Sequence, residues 1–224
     1  MPAVSNAMTA MNQRVEGMRG RLHHAELLPR SFFNRDPREV GPALLGKLIV
    51  RRQGRRLLAG RIVETEAYLG ANDLAAHAAA GRTARNSVLF GPPGHAYVYF
   101  IYGVHYCLNI SCLPDGQAGG ILFRALEPVQ GIKEMAKARG LADLDFSSIR
   151  NLRLLTSGPG KLSEAMGITR PRDNGKDMLS AASDLQVMDD GWRVEKVATT
   201  PRIGIKKSAD MLLRYVIAGN QFVS

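Results

Sequence analysis

Apolar and polar positions alternate over Leu48–Arg52 and Arg56–Tyr68, and the pattern predicts two strands joined at a Gly54 turn. Pro92–Pro93–Gly94 is a strong turn signal; after it, Ala96–Ile101 and His105–Ser111 form two apolar, aromatic strands around Tyr102–Gly103. Gly120–Leu126 reads as a further strand, and Val129–Arg139 has helical spacing that ends near Gly140. Val40–Leu45 reads as a short helix that docks near the start of the fold. Ser157–Leu162 reads as a loop before a helix, while Arg214–Val216 and Gln221–Val223 resemble two short strands around Gly219–Asn220. A polar, Ala- and Gly-rich connection fills Gly70–Asn86. Strands dominate and helices are interspersed irregularly. The expected class is α+β in a single domain: a curved, mainly antiparallel sheet with surrounding helices and a protruding hairpin.

Charge changes this picture more than composition does. The chain has 224 residues, enough for one sizeable core, and ordinary apolar and charged fractions. Its net charge is +10, and residues 1–60 contribute +7 of it, with ten Arg and Lys47 against four acids. Clustered arginines, as in Arg51–Arg52 and Arg55–Arg56, favour a polyanionic partner over mere solvation. Residues 1–26 read as a basic arm; their Met and Arg content also suits a transit peptide, but the arm is the simpler reading. No apolar run approaches a membrane span. Two cysteines, Cys107 and Cys112, fit a reducing compartment and argue against a disulfide framework. The histidines lack ligand spacing, so neither a metal centre nor a cofactor is expected.

Candidate chemistry begins at Arg61–Tyr68. In a regular strand Ile62, Glu64, Glu66 and Tyr68 share one face. Carboxylates on an otherwise apolar strand are solvated, paired or used. From these residues alone, a wet edge strand, a glycosidase pair and a catalytic base all stay open. Tyr97, Tyr99 and Ile101 alternate with Val98, Phe100 and Tyr102. Tyr102 at the hairpin reversal is either a rim residue or an aromatic wedge for nucleic acid. Gly158–Pro159–Gly160–Lys161 lacks the full phosphate-loop spacing, although its amides could face a phosphate.

Several blocks, in order, resemble the alkyladenine (3-methyladenine) DNA glycosylase family from roughly Leu27 to Ser224. They are Leu44–Gly46, Arg61–Tyr68, Ala76–His77, Arg82–Asn86, Tyr97–Tyr99 with Ile101–Gly103, Cys107–Ile110, Leu122–Pro128 and Ser157–Pro159. Departures are a slightly shortened Arg82–Arg85 loop and the long N-terminal arm. The resemblance implies a catalytic domain over residues 27–224. It makes Glu66 the general base for water, with Arg124 fixing that water or the carboxylate and Glu64 in a supporting role. It makes Tyr68, His77 and Tyr99 the base pocket, Asn109 the discriminator against normal bases, and Tyr102 the group that fills the duplex. Arg82, Thr83, Arg85 and Lys161 are then contacts to the DNA backbone. The implied enzyme is a cofactor-free, monofunctional DNA N-glycosylase of base-excision repair, monomeric and cytoplasmic, with damaged purines in duplex DNA as its substrate. Two other readings compete. A binding module that has lost catalysis conflicts with the presence of every implied site residue. A glycoside hydrolase using Glu64 and Glu66 conflicts with the basic charge and the single Trp192.

Overall fold

The computed structural model describes residues 20–101 and 103–224, so residues 1–19 and Tyr102 lie outside the described residues. Among the described residues, nine strands join in one largely antiparallel sheet that does not close. They are β1 (Glu26–Leu27), β2 (Leu48–Gln53), β3 (Arg56–Tyr68), β4 (Ala96–Ile101), β5 (His105–Cys112), β6 (Gly119–Gln130), β7 (Leu185–Asp189), β8 (Val197–Thr200) and β9 (Arg214–Ile217). The α-helices are α1 (Arg30–Phe33), α2 (Pro37–Ala43), α3 (Ile132–Ala138), α4 (Ile149–Thr156), α5 (Pro159–Ala165) and α6 (Arg170–Asp173). The class is α+β, as the pattern predicts. The sheet order is β1-β7-β2-β3-β6-β5-β4, with β9 also paired to β3 and β8 to β9.

Strand β3 is the branch point. Its first half pairs with β2 and its second half with β9, on the edge opposite β6. Gly54 turns β2 into β3 at φ +59°, a left-handed conformation that glycine adopts without strain. Three irregularities interrupt the pairing of β3 with β6, one between Ala59 and Gly60 and two beyond it: Ile62 opposes Leu126, Glu64 opposes Ala125, and Thr65 opposes Phe123. Val63 is therefore an extra residue on one strand and Arg124 on the other. Leu58 and Ile62 join the main core before the bulge, and Val63 and Ala67 join it afterwards. The regular-strand expectation is corrected accordingly: the bulge reverses the alternation, so Ile62 faces the core while Glu64, Glu66 and Tyr68 face away from it.

Leu44, Ile49, Phe123, Leu126, Leu155 and Leu162 fill that core between sheet and helices. Each such side chain contributes roughly 1.5–3 kcal/mol of burial. Leu22 packs in a smaller cluster with Leu48, Val50, Val129 and Met188. Helix α2 starts where the Asp36 side chain accepts from the Arg38 N–H at 2.8 Å and Pro37 takes the first turn. It sits on the sheet through the Thr65 hydroxyl, which donates to the Gly41 carbonyl at 3.0 Å.

Several expectations need correction. The helical spacing at Val129 overlaps a strand, because β6 continues to Gln130 and the helix begins at Ile132. Gln221–Val223 is not a strand: the Asn220 side chain accepts from Phe222 N–H at 2.8 Å and turns the chain. The loop expected over Ser157–Leu162 becomes α5 at Pro159. Among the described residues, no helix is long and apolar enough to cross a membrane.

Candidate active site

The two carboxylates of β3 are both fully buried, yet their surroundings differ. Glu64 Oε1 accepts from Arg124 Nε at 2.9 Å, Arg214 Nε at 2.7 Å and the Ser224 hydroxyl at 3.0 Å. Its Oε2 accepts from the Ser224 N–H at 2.6 Å. Two guanidiniums and a backbone amide thus hold Glu64 as a fixed anion. Glu66 has lighter company. Its Oε1 accepts from Ile203 N–H at 2.7 Å and lies 3.3 Å from Arg124 Nη1, while Tyr68 donates to its Oε2 at 3.0 Å. Arg124 therefore spans both acids, and it can do so because the β6 irregularity aims it at them.

Tyr68, the phenol bonded to Glu66, forms part of the wall of a cavity of about 130 Å³ that Glu66 itself does not line and that aromatic and small residues enclose. Tyr68, His77, Tyr99 and Asn109 all border it, so the chain brings the four implied pocket residues together. Tyr97, Leu89, Gly119, Gly120, Ile205 and the Ala75–Ala78 wall complete the lining. The His77 and Tyr99 rings meet edge-on at 4.4 Å, and Asn109 Nδ2 donates to the Tyr97 carbonyl at 3.1 Å. His77 Nδ1 lies 2.9 Å from the Tyr97 hydroxyl. Partial desolvation against the neighbouring tyrosines, and secondarily the nearby Arg85, lower the pKa of the otherwise exposed His77, which favours its neutral form at pH 7. Burial, then the adjacent Glu66 charge, push the Tyr68 phenol well above its ordinary range. Tyr68 therefore stays protonated and remains a donor.

The other implied residues divide. Arg82, Thr83 and Arg85 are exposed on a loop fixed by Asn86, whose Nδ2 donates to the His77 carbonyl at 2.9 Å. Lys161 is half-buried and lines a different, shallow groove with Arg150 and Arg153. The Gly158 amide offers nothing to a phosphate, because it donates to the Arg124 carbonyl at 3.0 Å. Tyr102 lies outside the described residues, but its hairpin neighbours Phe100 and Val104 are 44% and 66% exposed. Among the described residues, no three His, Cys, Asp or Glu side chains are grouped to hold a metal ion.

Sequence reasoning misses Tyr97, which the i, i+2 spacing from Tyr99 could have found. It also misses Arg202, Ile203, Arg214 and Ser224, which carry no local signal. Arg202 is buried against Asp73 and stacks on Tyr68.

Residues 31–221 match the family model described as methylpurine-DNA glycosylase. A protein of Koribacter versatilis, provisionally named a 3-methyladenine DNA glycosylase, is 66% identical over 197 residues, covering 88% of this chain and 92% of that protein. A Burkholderia cenocepacia protein of the same provisional name is 46% identical over 199 residues, 88% of this chain and 91% of its own length. One from Methanocella arvoryzae is 47% identical over 188 residues, 84% and 89% of the two chains.

Proposed function

Since the chain belongs to the methylpurine-DNA glycosylase family and is thus a DNA N-glycosylase, we propose that it flips a damaged purine out of duplex DNA and hydrolyses its N-glycosidic bond with Glu66 as base. The observation that carries this reading is the buried Glu66 carboxylate, bonded to Tyr68 at the wall of an aromatic cavity. A stacked duplex hides the sugar carbon, so the nucleotide must leave the stack, at a cost of a few kcal/mol. Tyr102 fills the gap that the base leaves.

In the reaction, water forms a bond to C1′ while the C1′–N bond breaks and its electron pair goes to the base. The water proton passes to the Glu66 carboxylate. Arg124, which already spans Glu64 and Glu66, orients the carboxylate and the water. The same anion stabilises positive charge developing on the sugar. Because water is the nucleophile, no lysine adduct forms and the strand is not nicked.

The substrates are 3-methyladenine, 7-methylguanine, hypoxanthine and ethenoadenine. Tyr68, His77 and Tyr99 stack against the flipped base, and a neutral His77 does not repel a cationic purine. Asn109 excludes bases with the wrong edge. Arg82, Thr83, Arg85 and Lys161 contact phosphates. The enzyme acts as a monomer, without a cofactor, on the DNA of the bacterial cytoplasm.

Glu66→Gln tests the mechanism. Single-turnover release of hypoxanthine or 7-methylguanine is expected to fall by at least about a hundredfold, while lesion-duplex binding by fluorescence anisotropy persists. Near-normal release by this variant would sink the proposal.

A further inference from the structure

The ion pair of Asp73 and Arg202 takes no part in the steps above, yet it touches the cavity wall. Arg202 Nη1 donates to Asp73 Oδ2 at 2.5 Å and Nη2 to Oδ1 at 2.8 Å, with both side chains fully buried. A packed apolar pair usually fills such a place at no loss of stability, because it desolvates no charge. Here Asp73 also accepts from the Leu69 and Ala75 N–H groups and Arg202 donates to the Ala67 and Ser208 carbonyls, which ties the pair to the backbone, and the guanidinium makes one contact beyond these. The Arg202 guanidinium carbon lies 4.6 Å from the Tyr68 ring centroid, within cation–π range. Tyr68 lines the cavity and Arg202 does not. The ring offered to the base thus carries a cation of its own.

We propose that the Asp73–Arg202 pair sets the charge preference of the base cavity: the cation held on Tyr68 weakens that ring's attraction for a positively charged purine relative to a neutral one. This rests on the reading of the cavity as the base site. The pair is neutral as a whole, but its cationic end is the end on the ring. A second cation brought to Tyr68 meets a quadrupole already engaged, and the first cation repels it. A neutral purine stacks by dispersion and feels no such repulsion.

The bound complex does not discriminate in the same way. When the C1′–N bond breaks, the electron pair lowers the charge of either base by one unit, so a fixed positive potential favours both departures equally. The preference must therefore appear in binding, and hence in kcat/KM, but not in the rate at saturation. Ile203 follows Arg202 in the chain and donates to Glu66 Oε1. Disturbing the pair thus lowers saturated rates for every lesion by a common factor.

The test is the double variant Asp73→Asn/Arg202→Gln, which keeps hydrogen-bonding groups and removes both charges. Single-turnover rates are measured over a range of enzyme concentration, on duplexes with one 7-methylguanine, a cation, or one hypoxanthine, which is neutral. The 7-methylguanine to hypoxanthine ratio of kcat/KM is expected to rise roughly threefold to tenfold, the scale of a partly desolvated cation–ring contact. The ratio of saturated rates stays as in the parent. If the double variant fails to melt cooperatively, Arg202→Lys takes its place, retaining a charge for Asp73 but no planar cation for the ring; the same direction is expected. An unchanged kcat/KM ratio in a folded variant overturns the inference. Failure of the parent enzyme to release either base overturns the reading of the cavity itself, and this inference with it.

Discussion

Glu64 and Glu66 stand two positions apart on one side of β3, and their hydrogen bonds give them different capacities. Glu64 accepts from two arginines and twice from Ser224, so its lone pairs are occupied by donors that cannot leave. Glu66 faces one arginine at 3.3 Å, and its phenolic donor stands at the cavity. The same residue scale governs His77. Its folded-state pKa lies below the ordinary 6.5, chiefly through partial desolvation of an otherwise exposed ring. As pH falls through about 6.5 the unfolded chain takes up a proton that the folded imidazole resists, so stability present above that pH is lost on acidification, down to the folded pKa. His77→Gln is expected to reduce the fall in melting temperature across that window, relative to the parent; an identical pH slope would show that His77 contributes nothing to it.

At the scale of elements, β3 joins the cavity wall at Gly70, where φ is +78°. A Cβ there would lie 2.1 Å from the Ala118 carbonyl oxygen, a backbone atom that cannot swing aside. Gly54, also left-handed, has nothing within 4 Å of such a Cβ. Gly54→Ala should therefore cost only the conformational term, about 1–2 kcal/mol. Gly70→Ala adds overpacking and should cost about 1–3 kcal/mol more; urea unfolding of the two variants checks the difference, and equal losses would refute it. Both turns sit where punctuation in the sequence suggests a break. The strands of the hairpins are legible because neighbouring residues pair, so their alternation is a local signal. The bulge at Val63 is not, since it arises from the register of β6 and reverses the faces of a strand that looks regular. β7 and β8 leave little trace in the sequence: β7 pairs with β2, far off in the chain, and β8 has only four residues on which a pattern could show. The aromatic pocket is readable only through ordered blocks, because its members come from four separate segments.

For the whole molecule, the arginine clusters in the sequence overstate the cationic surface, although the net +10 stands because each buried arginine is matched by an acid. Arg51 is wholly buried against Asp173 and Asp184, and Arg61 is bonded to Asp190 at 2.7 Å beneath Trp192. The arginines that cluster in sequence thus serve the interior as well as any polyanion. Exposed Arg82 and half-buried Lys161 remain free to meet phosphates. Replacing both with alanine should flatten the plot of log affinity for lesion duplex against log salt by about 0.9 for each phosphate that is no longer neutralised; an unaltered slope would remove them from the interface. The long-range ties to β3 have a consequence in time. Glu64 accepts from Ser224, 160 positions later, and Glu66 from Ile203, 137 positions later. Closing such long loops carries an entropic penalty that the contacts repay only once formed. Until the 202–224 segment has docked, Glu64 has only Arg124, and Glu66 only Arg124 and Tyr68, of the partners they show in the folded chain. A ribosome that has released only β1 to β7 therefore holds a chain whose two β3 carboxylates still lack Ile203 and Ser224, so their surroundings are completed only when the 202–224 segment emerges.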